Sequence, residues 1–191
     1  ARQARVPIHV KVSWYDKLDD WNTALQLDQR QRRSQPSNLG AALGEMRCLQ
    51  HMGEYAQLDE LAWSTWRTVG RAHNREAEST KVSDTTRANL RSLAQLGCTG
   101  SWALGSWHKM DAYISGHTNE GPPSCGFEKT YYGKFYGAVL AVQNRQLKKA
   151  EQLVDRARYV LDTNLTALAR ESYDRAYELS VSAQQLAELS E

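Results

Sequence analysis

Gly116-His117-Thr118-Asn119-Glu120-Gly121 has the glycine spacing of a phosphate-binding loop, in which backbone amides cradle phosphates while a following lysine and hydroxyl neutralise charge and hold magnesium. Pro122 and Pro123 stand where the lysine and the hydroxyl would be, so nucleotide binding is not expected there. No His-Arg-Asp or Asp-Phe-Gly triplet occurs, so the usual carboxylates of phosphoryl transfer are missing too. The five histidines (9, 51, 73, 108 and 117) stand singly, with no Glu-x-x-His pair to set metal ligands one helical turn apart. His51 falls beside a helix end and reads as a cap for carbonyls. Adjacent acids such as Asp19-Asp20 and Asp59-Glu60 point to different helix faces, and read as solvated groups rather than an acid and base pair. Cys98 has no basic neighbour within a turn to lower its pKa and reads as a packing residue. Arg145, Lys148, Lys149, Arg156 and Arg158 make the densest basic face and could receive a phosphate-rich ligand, but Glu151 and Asp155 sit among them and favour a solvated face. Tyr131-Tyr132, beside a Gly-Pro loop, is either a partner-binding edge or the lid of the next helix.

The chain thus offers no convergent catalytic set, and its composition points to packing. At 191 residues and 41% hydrophobic content it can bury a core, and one continuous array is preferred to two small domains. Six tryptophans (14, 21, 63, 66, 102 and 107) supply large packing surfaces, while β-branched runs are scarce. Net charge is only +2 with acids and bases interspersed, which leaves no electrostatic footprint for nucleic acid or an anionic membrane. Three scattered cysteines (48, 98 and 125) argue against a disulfide framework or zinc site and for a reducing compartment, the cytosol. No run approaches the roughly 18 apolar residues of a membrane span, and Ala1 to Lys11 lack the apolar core of a signal peptide. Asn164-Leu165-Thr166 matches a glycosylation sequon but opens a helical pattern, and is read as a chance triplet. The chain starts without Met and stops in a helical pattern, so an excerpt from a longer protein is expected.

Three stretches share one pattern: Leu18-Asp19-Asp20-Trp21-Asn22-Thr23-Ala24, Met52-Gly53-Glu54-Tyr55-Ala56-Gln57-Leu58 and Leu104-Gly105-Ser106-Trp107-His108-Lys109-Met110. Each places an apolar residue, two turn-tolerant residues, an aromatic, two spacers and another residue for the core. The first two lie 34 residues apart, the period of tetratricopeptide helix pairs, and the third follows after 52, which implies an insertion. The expected fold is all-α, with tetratricopeptide-like antiparallel helix pairs forming an α-solenoid. Leu18, Trp21, Met52, Gly53, Tyr55, Leu104, Gly105 and Trp107 are its repeat-packing positions.

Along the chain, residues 1–12 read as a linker or the end of a preceding element, and 13–191 as a single helical-repeat segment with loops near 30–38, 70–84 and 117–126. Ser13 and Asp16 open a first helix carrying Trp14, Leu18, Trp21 and Leu25 on one face. Leu39, Ala42, Leu43, Met46 and Leu49 make a second stripe ended by Gly53, and Tyr55, Leu58, Ala62, Thr65 and Val69 a third. Ser83 or Asp84 caps a fourth helix, in which Gly97-Cys98-Thr99-Gly100 predicts a kink or break. A short helix follows from Ser106 to about Gly116. Phe135, Ala138, Val139 and Val142 form a further stripe, with Asn144 taking the cap conformation; Ala150, Leu153, Val154, Ala157, Val160 and Leu161 form the next. Asp162-Thr163-Asn164 predicts an interruption, after which Leu165, Leu168, Ala169, Ser172, Ala176, Leu179, Ala183 and Leu186 keep helical spacing.

Phe135-Tyr136-Gly137-Ala138-Val139-Leu140-Ala141, Asp155-Arg156-Ala157-Arg158 with Leu161-Asp162, and above all Leu165-Thr166-Ala167 with Glu171-Ser172-Tyr173-Asp174-Arg175-Ala176-Tyr177 closely resemble the FAT region of target-of-rapamycin kinases. Trp14-Tyr15-Asp16-Lys17-Leu18, Met46-Arg47-Cys48-Leu49 and the three repeated motifs resemble it as well, in order from Trp14 to Glu191. The signature is carried by Glu171, Ser172, Tyr173, Arg175, Ala176 and Tyr177. The resemblance implies an inner, non-catalytic piece of a serine/threonine kinase of the phosphatidylinositol-3-kinase-related class. Such a piece is a solenoid that clamps the kinase domain within a growth and nutrient signalling complex. It implies no cofactor in this segment, with ATP and Mg²⁺ confined to the kinase domain, and no catalytic residue here. Its partners would be that kinase domain, neighbouring helical repeats and other subunits of the complex, in the cytoplasm or at endomembrane surfaces. The family also brings an inositol polyphosphate site built from basic residues, none of which is assigned to a position here. Arg71 to Asp84 and Gly97-Cys98-Thr99-Gly100 depart from the family pattern. The rival reading is a stand-alone tetratricopeptide adaptor that grips peptide tails of partner proteins in its concave groove.

Overall fold

The computed structural model describes residues 15, 17–36, 38–75, 83–116, 121–122, 125–168 and 173–189. The expected linker 1–12, together with Ser13, Trp14, Asp16, His117, Glu171 and Ser172, lies outside them.

Among the described residues there is no strand, and eight helices follow one another: α1 (Trp21–Ser34), α2 (Leu39–His51), α3 (Tyr55–Arg75), α4 (Asp84–Ala103), α5 (Trp107–Ser115), α6 (Tyr131–Gln143), α7 (Leu147–Leu168) and α8 (Tyr173–Leu189). Their starts follow from side chains that satisfy orphan amides: Asp20 accepts from the Thr23 amide, Asn38 from those of Gly40 and Ala41, Ser83 from Thr86, and Thr130 from Gly133. A single turn of 3₁₀ helix, Phe127–Lys129, precedes α6. Each helix packs on the next, and α2 also reaches α4, the neighbour relation of a helical solenoid. One core runs through the array, from Leu43, Met46 and Leu58 through Trp66, Leu93 and Tyr113 to Val139, Ala157 and Leu186. No helix of the described residues is long and apolar enough to cross a membrane.

Several expectations need correction. Helix α4 continues through Gly97-Cys98-Thr99-Gly100 without a break, because both glycines are buried at close interhelical contacts. Helix α7 passes through Asp162-Thr163-Asn164, where Thr163 and Thr166 turn their hydroxyls back onto the carbonyls of Tyr159 and Asp162 and leave the ladder intact. Helix α3 runs to Arg75, five residues beyond Gly70, into the stretch read as loop. The expected helix joining Leu18 to Leu25 is instead divided at Asp19, whose φ is +55°. The left-handed residue ending α6 is Arg145, at φ +57°, and Asn144 keeps φ −84°.

Candidate functional site: the helix corners and the polar contacts between helices

What recurs in this chain is a backbone corner. At Asp19, Gly53, Gly105 and Arg145 the chain takes a positive φ, and the amide of the next residue donates to the carbonyl five residues back. These bonds run from Asp20 to Tyr15 (3.1 Å), Glu54 to Leu49 (2.9 Å), Ser106 to Ser101 (2.7 Å) and Gln146 to Ala141 (2.8 Å). This closure ends one helix in a left-handed residue and starts the next within two residues. Corners therefore join α2 to α3, α4 to α5 and α6 to α7 as tight antiparallel hairpins, and the first leads into α1.

The repeat positions named from the sequence lie on these corners, mostly on their outside. Leu18 is 74% exposed and Leu104 48%, with Met52 and Tyr55 close to the boundary between exposed and half-buried. Trp107 is half-buried and packs against the core, whereas Trp21 stacks face to face on His51, with centroids 4.0 Å apart and planes at 1°. The imidazole thus meets an indole at the end of α2. The sequence placed the fourth turn at Asn144, one residue early, and outside the repeated motif, because Arg145 fills the place of glycine or aspartate and Leu147 that of the aromatic.

Between the hairpins lie three carboxylates that sequence reasoning had not placed in the core: Asp28, Glu45 and Asp59, each no more than 6% exposed. Asp59, read as solvated, is instead held by helices α4 and α5. Its Oδ1 accepts from the Ser101 hydroxyl at 2.7 Å and its Oδ2 from the Lys109 ammonium at 2.5 Å. The Lys109 ammonium also lies 5.8 Å from the centroid of the Trp63 ring, within cation–π range. Glu45 on α2 receives Arg32 of α1, Nε to Oε2 at 2.6 Å, and the Gln29 amide at 3.4 Å. Such pairs suit a buried carboxylate, which is costly to desolvate unless matched by charge and hydrogen bonds.

Glycines let these groups in. A Cβ on Gly44 would sit 2.4 Å from Asp28 Oδ2, one on Gly100 3.2 Å from the backbone of Asp59, and one on Gly97 2.4 Å from Cζ of Tyr113. Tyr113 fills the space above Gly97 and packs edge-on against Trp66 and Trp63, at 5.0 and 5.8 Å. Its hydroxyl and the Trp66 indole N–H are buried without a hydrogen-bond partner among the described residues, and burial, with the Asp59 charge nearby, pushes the Tyr113 phenol up.

The remaining candidate groups take ordinary places. Burial pushes the Cys98 thiol well up, which disfavours the nucleophilic thiolate. Arg145, Lys148, Lys149, Arg156 and Arg158 are all exposed, with Arg158 3.7 Å from Asp155. Burial and the nearby Arg156 charge push the Lys134 amine down. The tyrosine pair divides: Tyr131 is buried and donates to the Ser182 carbonyl of α8 at 3.0 Å, whereas Tyr132 is 39% exposed. Of the signature residues, Tyr173, Arg175 and Ala176 lie in the first turn of α8, and Tyr177 is 61% exposed. Among the described residues no three His, Cys, Asp or Glu side chains come together as a metal site.

The FAT domain family profile matches residues 94–191, just over half of the chain and the part that runs from mid-α4 to its end. The whole chain is similar to far longer proteins. It is 35% identical over 190 residues to the serine/threonine-protein kinase mTor of Drosophila melanogaster, covering 100% of this chain and 7% of that protein. It is 33% identical over 201 residues to the serine/threonine-protein kinase TOR of Oryza sativa, covering 99% and 8%. Against the target of rapamycin homolog of Caenorhabditis elegans it is 30% identical over 215 residues, covering 100% and 7%. The chain spans less than a tenth of the length of these curated relatives. An all-α array of hairpins that carries the Glu171 to Tyr177 signature and matches this profile over half its length belongs to the FAT domain family.

Proposed function

We propose that this chain is a non-catalytic scaffold segment of a target-of-rapamycin-type serine/threonine kinase, and that it clamps and positions the kinase domain within a growth and nutrient signalling complex. The observation that carries the reading is the full-length similarity to kinases of which the chain covers only 7–8%. The buried polar groups fit it. Asp59, Ser101 and Lys109 are committed to one another across three helices, so they serve geometry and leave no free nucleophile or base. In this reading ATP and Mg²⁺ bind elsewhere in the longer protein, and the partners are its kinase domain, adjoining helical repeats and cytoplasmic subunits of the complex. Of the corner residues, Trp21 and Trp107 act in packing, and the Glu171 to Tyr177 string carries the family signature.

The test is made in the longer protein. Lys109→Ala, which leaves the Asp59 carboxylate without its cation, should loosen α3 to α5 in hydrogen exchange and lower phosphorylation of a protein substrate. Exchange that rises there while kinase activity stays at the parental level would overturn the scaffold role. Turnover of ATP by the purified 191-residue chain would overturn its non-catalytic character.

A further inference from the structure

The first helices of the three hairpins, α2, α4 and α6, line one shared groove of about 620 Å³ together with α8. Its described walls come from these four helices: Gln50 on α2, Thr99 and Trp102 on α4, Tyr136 on α6, and Tyr177 and Val181 on α8 are representative. Three features separate this groove from the rest of the surface. Among the described residues, none of the twelve that line it is Asp, Glu, Lys or Arg, although 24% of the chain is charged and three other grooves each carry an arginine. Five of the twelve are aromatic, against 9% overall. Among the described residues, four of the eleven exposed large hydrophobics, Trp102, Tyr132, Tyr177 and Val181, converge on it. Charge depletion with aromatic enrichment is the composition of the buried centre of a protein interface. Exposed apolar side chains that cluster mark a docking surface, which the same residues scattered singly would not.

We infer that this groove receives an uncharged apolar segment of the same, longer polypeptide. The inference rests on the scaffold reading above. Its occupant follows from charge and from tethering. A segment presenting Asp, Glu, Lys or Arg would lose water without gaining an ion partner, because the described lining supplies amide, hydroxyl and indole groups and one imidazole. More than nine-tenths of the curated relatives' length lies outside the part this chain matches. A tethered segment that can reach the groove binds intramolecularly at a raised effective concentration, so neutral contacts without a strong ionic anchor hold it. No sheet edge exists among the described residues for strand addition, which leaves side-chain insertion between helices as the docking mode.

The experiment uses the longer polypeptide in its own cells, with the photo-crosslinking residue p-benzoylphenylalanine placed at Tyr177 or Val181, and at Tyr159 as an exposed position outside the groove. Irradiation should join both groove positions to one peptide of the same polypeptide, outside the 191 residues, with no acidic or basic residue at the cross-linked site. Val181→Lys with the probe at Tyr177, and Tyr177→Glu with the probe at Val181, should each reduce that product about tenfold, the loss expected on truncating an interface anchor. Both replacements fall at exposed positions, so unchanged melting of the chain separates lost docking from lost folding. Products dominated by a different protein, by a charged segment, or by the spread of peptides seen at Tyr159 would each overturn the inference. These outcomes do not bear on the scaffold reading, which fails on the kinase assay of Lys109→Ala.

Discussion

The front of the array and its rear solve the same packing problem with different chemistry. In α1 to α5, helices approach over Gly44, Gly97 and Gly100, and what fills the missing side chains is Asp28, the Tyr113 ring and the backbone of Asp59. Arg32 and Lys109 then compensate Glu45 and Asp59. In the α6/α7 hairpin the contact is a plain stripe, Ala138 and Val139 against Val154, Ala157 and Leu161, and the glycine facing α7, Gly137, meets Leu153 at an ordinary 3.5 Å. Directional polar contacts specify one register, whereas apolar contacts add area with little direction. The front is therefore expected to be intolerant of single changes and the apolar α6/α7 stripe forgiving.

The largest effect should come from Lys109→Ala, which strands the Asp59 carboxylate at 4% exposure and costs about 3–5 kcal/mol. Asp59→Leu combined with Lys109→Met should recover more than half of that loss, since replacing a buried pair by apolar groups is often neutral. The rear control is Arg158→Ala. Its partner Asp155 is 76% exposed at 3.7 Å, so urea unfolding followed by tryptophan fluorescence should shift by no more than about 0.5 kcal/mol. Equal losses for Lys109→Ala and the double variant would end the argument that the front depends on charge pairing.

Two alanine substitutions should then differ in sign. Gly97→Ala forces a methyl group to within 2.4 Å of the Tyr113 ring and should lower stability by about 1–3 kcal/mol, even though alanine is the better helix former. Gly137→Ala meets only normal contact and should raise stability by up to about 1 kcal/mol. Thermal melts of the two variants moving in the same direction would mean that the glycines do not set helix approach.

These contacts also show how much of the molecule could be read from residues alone. The helical class, the caps at Ser83 and Gly53, the α7 stripe and the family signature all rest on local spacing, which a linear pattern records. The buried acids were legible in part. Asp28 continues the face of Trp21, Ala24 and Leu25, and Asp59 lies on that of Tyr55, Ala62 and Trp66, so each acid occupies a core position by helical period. Reading Asp59 by its neighbour Glu60, and not by its turn, hid this. The error at Gly97 and Gly100 had a different source. Glycine in a helix is weakening by intrinsic propensity, and only the partner helix shows that absent side chains are what allow contact. No local pattern reveals a groove shared by α2, α4, α6 and α8, because its walls come from residues more than a hundred positions apart.

The smallest predicted effects isolate the one feature that front and rear share, the corner. Gly53 carries φ +75° with nothing within 4 Å of where a Cβ would stand, so Gly53→Ala changes conformation without crowding and should cost about 1 kcal/mol through the left-handed backbone alone. Arg145 already bears that strain at φ +57°, and Arg145→Gly should relieve it for a net gain of a few tenths to about 1 kcal/mol, the remainder being lost to a more flexible unfolded chain. Asp19→Gly should change less, because aspartate tolerates the left-handed region better than arginine. Gains ordered Arg145→Gly above Asp19→Gly, with a loss at Gly53→Ala, would identify one backbone device at every corner. If instead Arg145→Gly destabilises the chain, the arginine side chain holds the α6/α7 corner by contacts of its own, and the rear hairpin is as specific as the front.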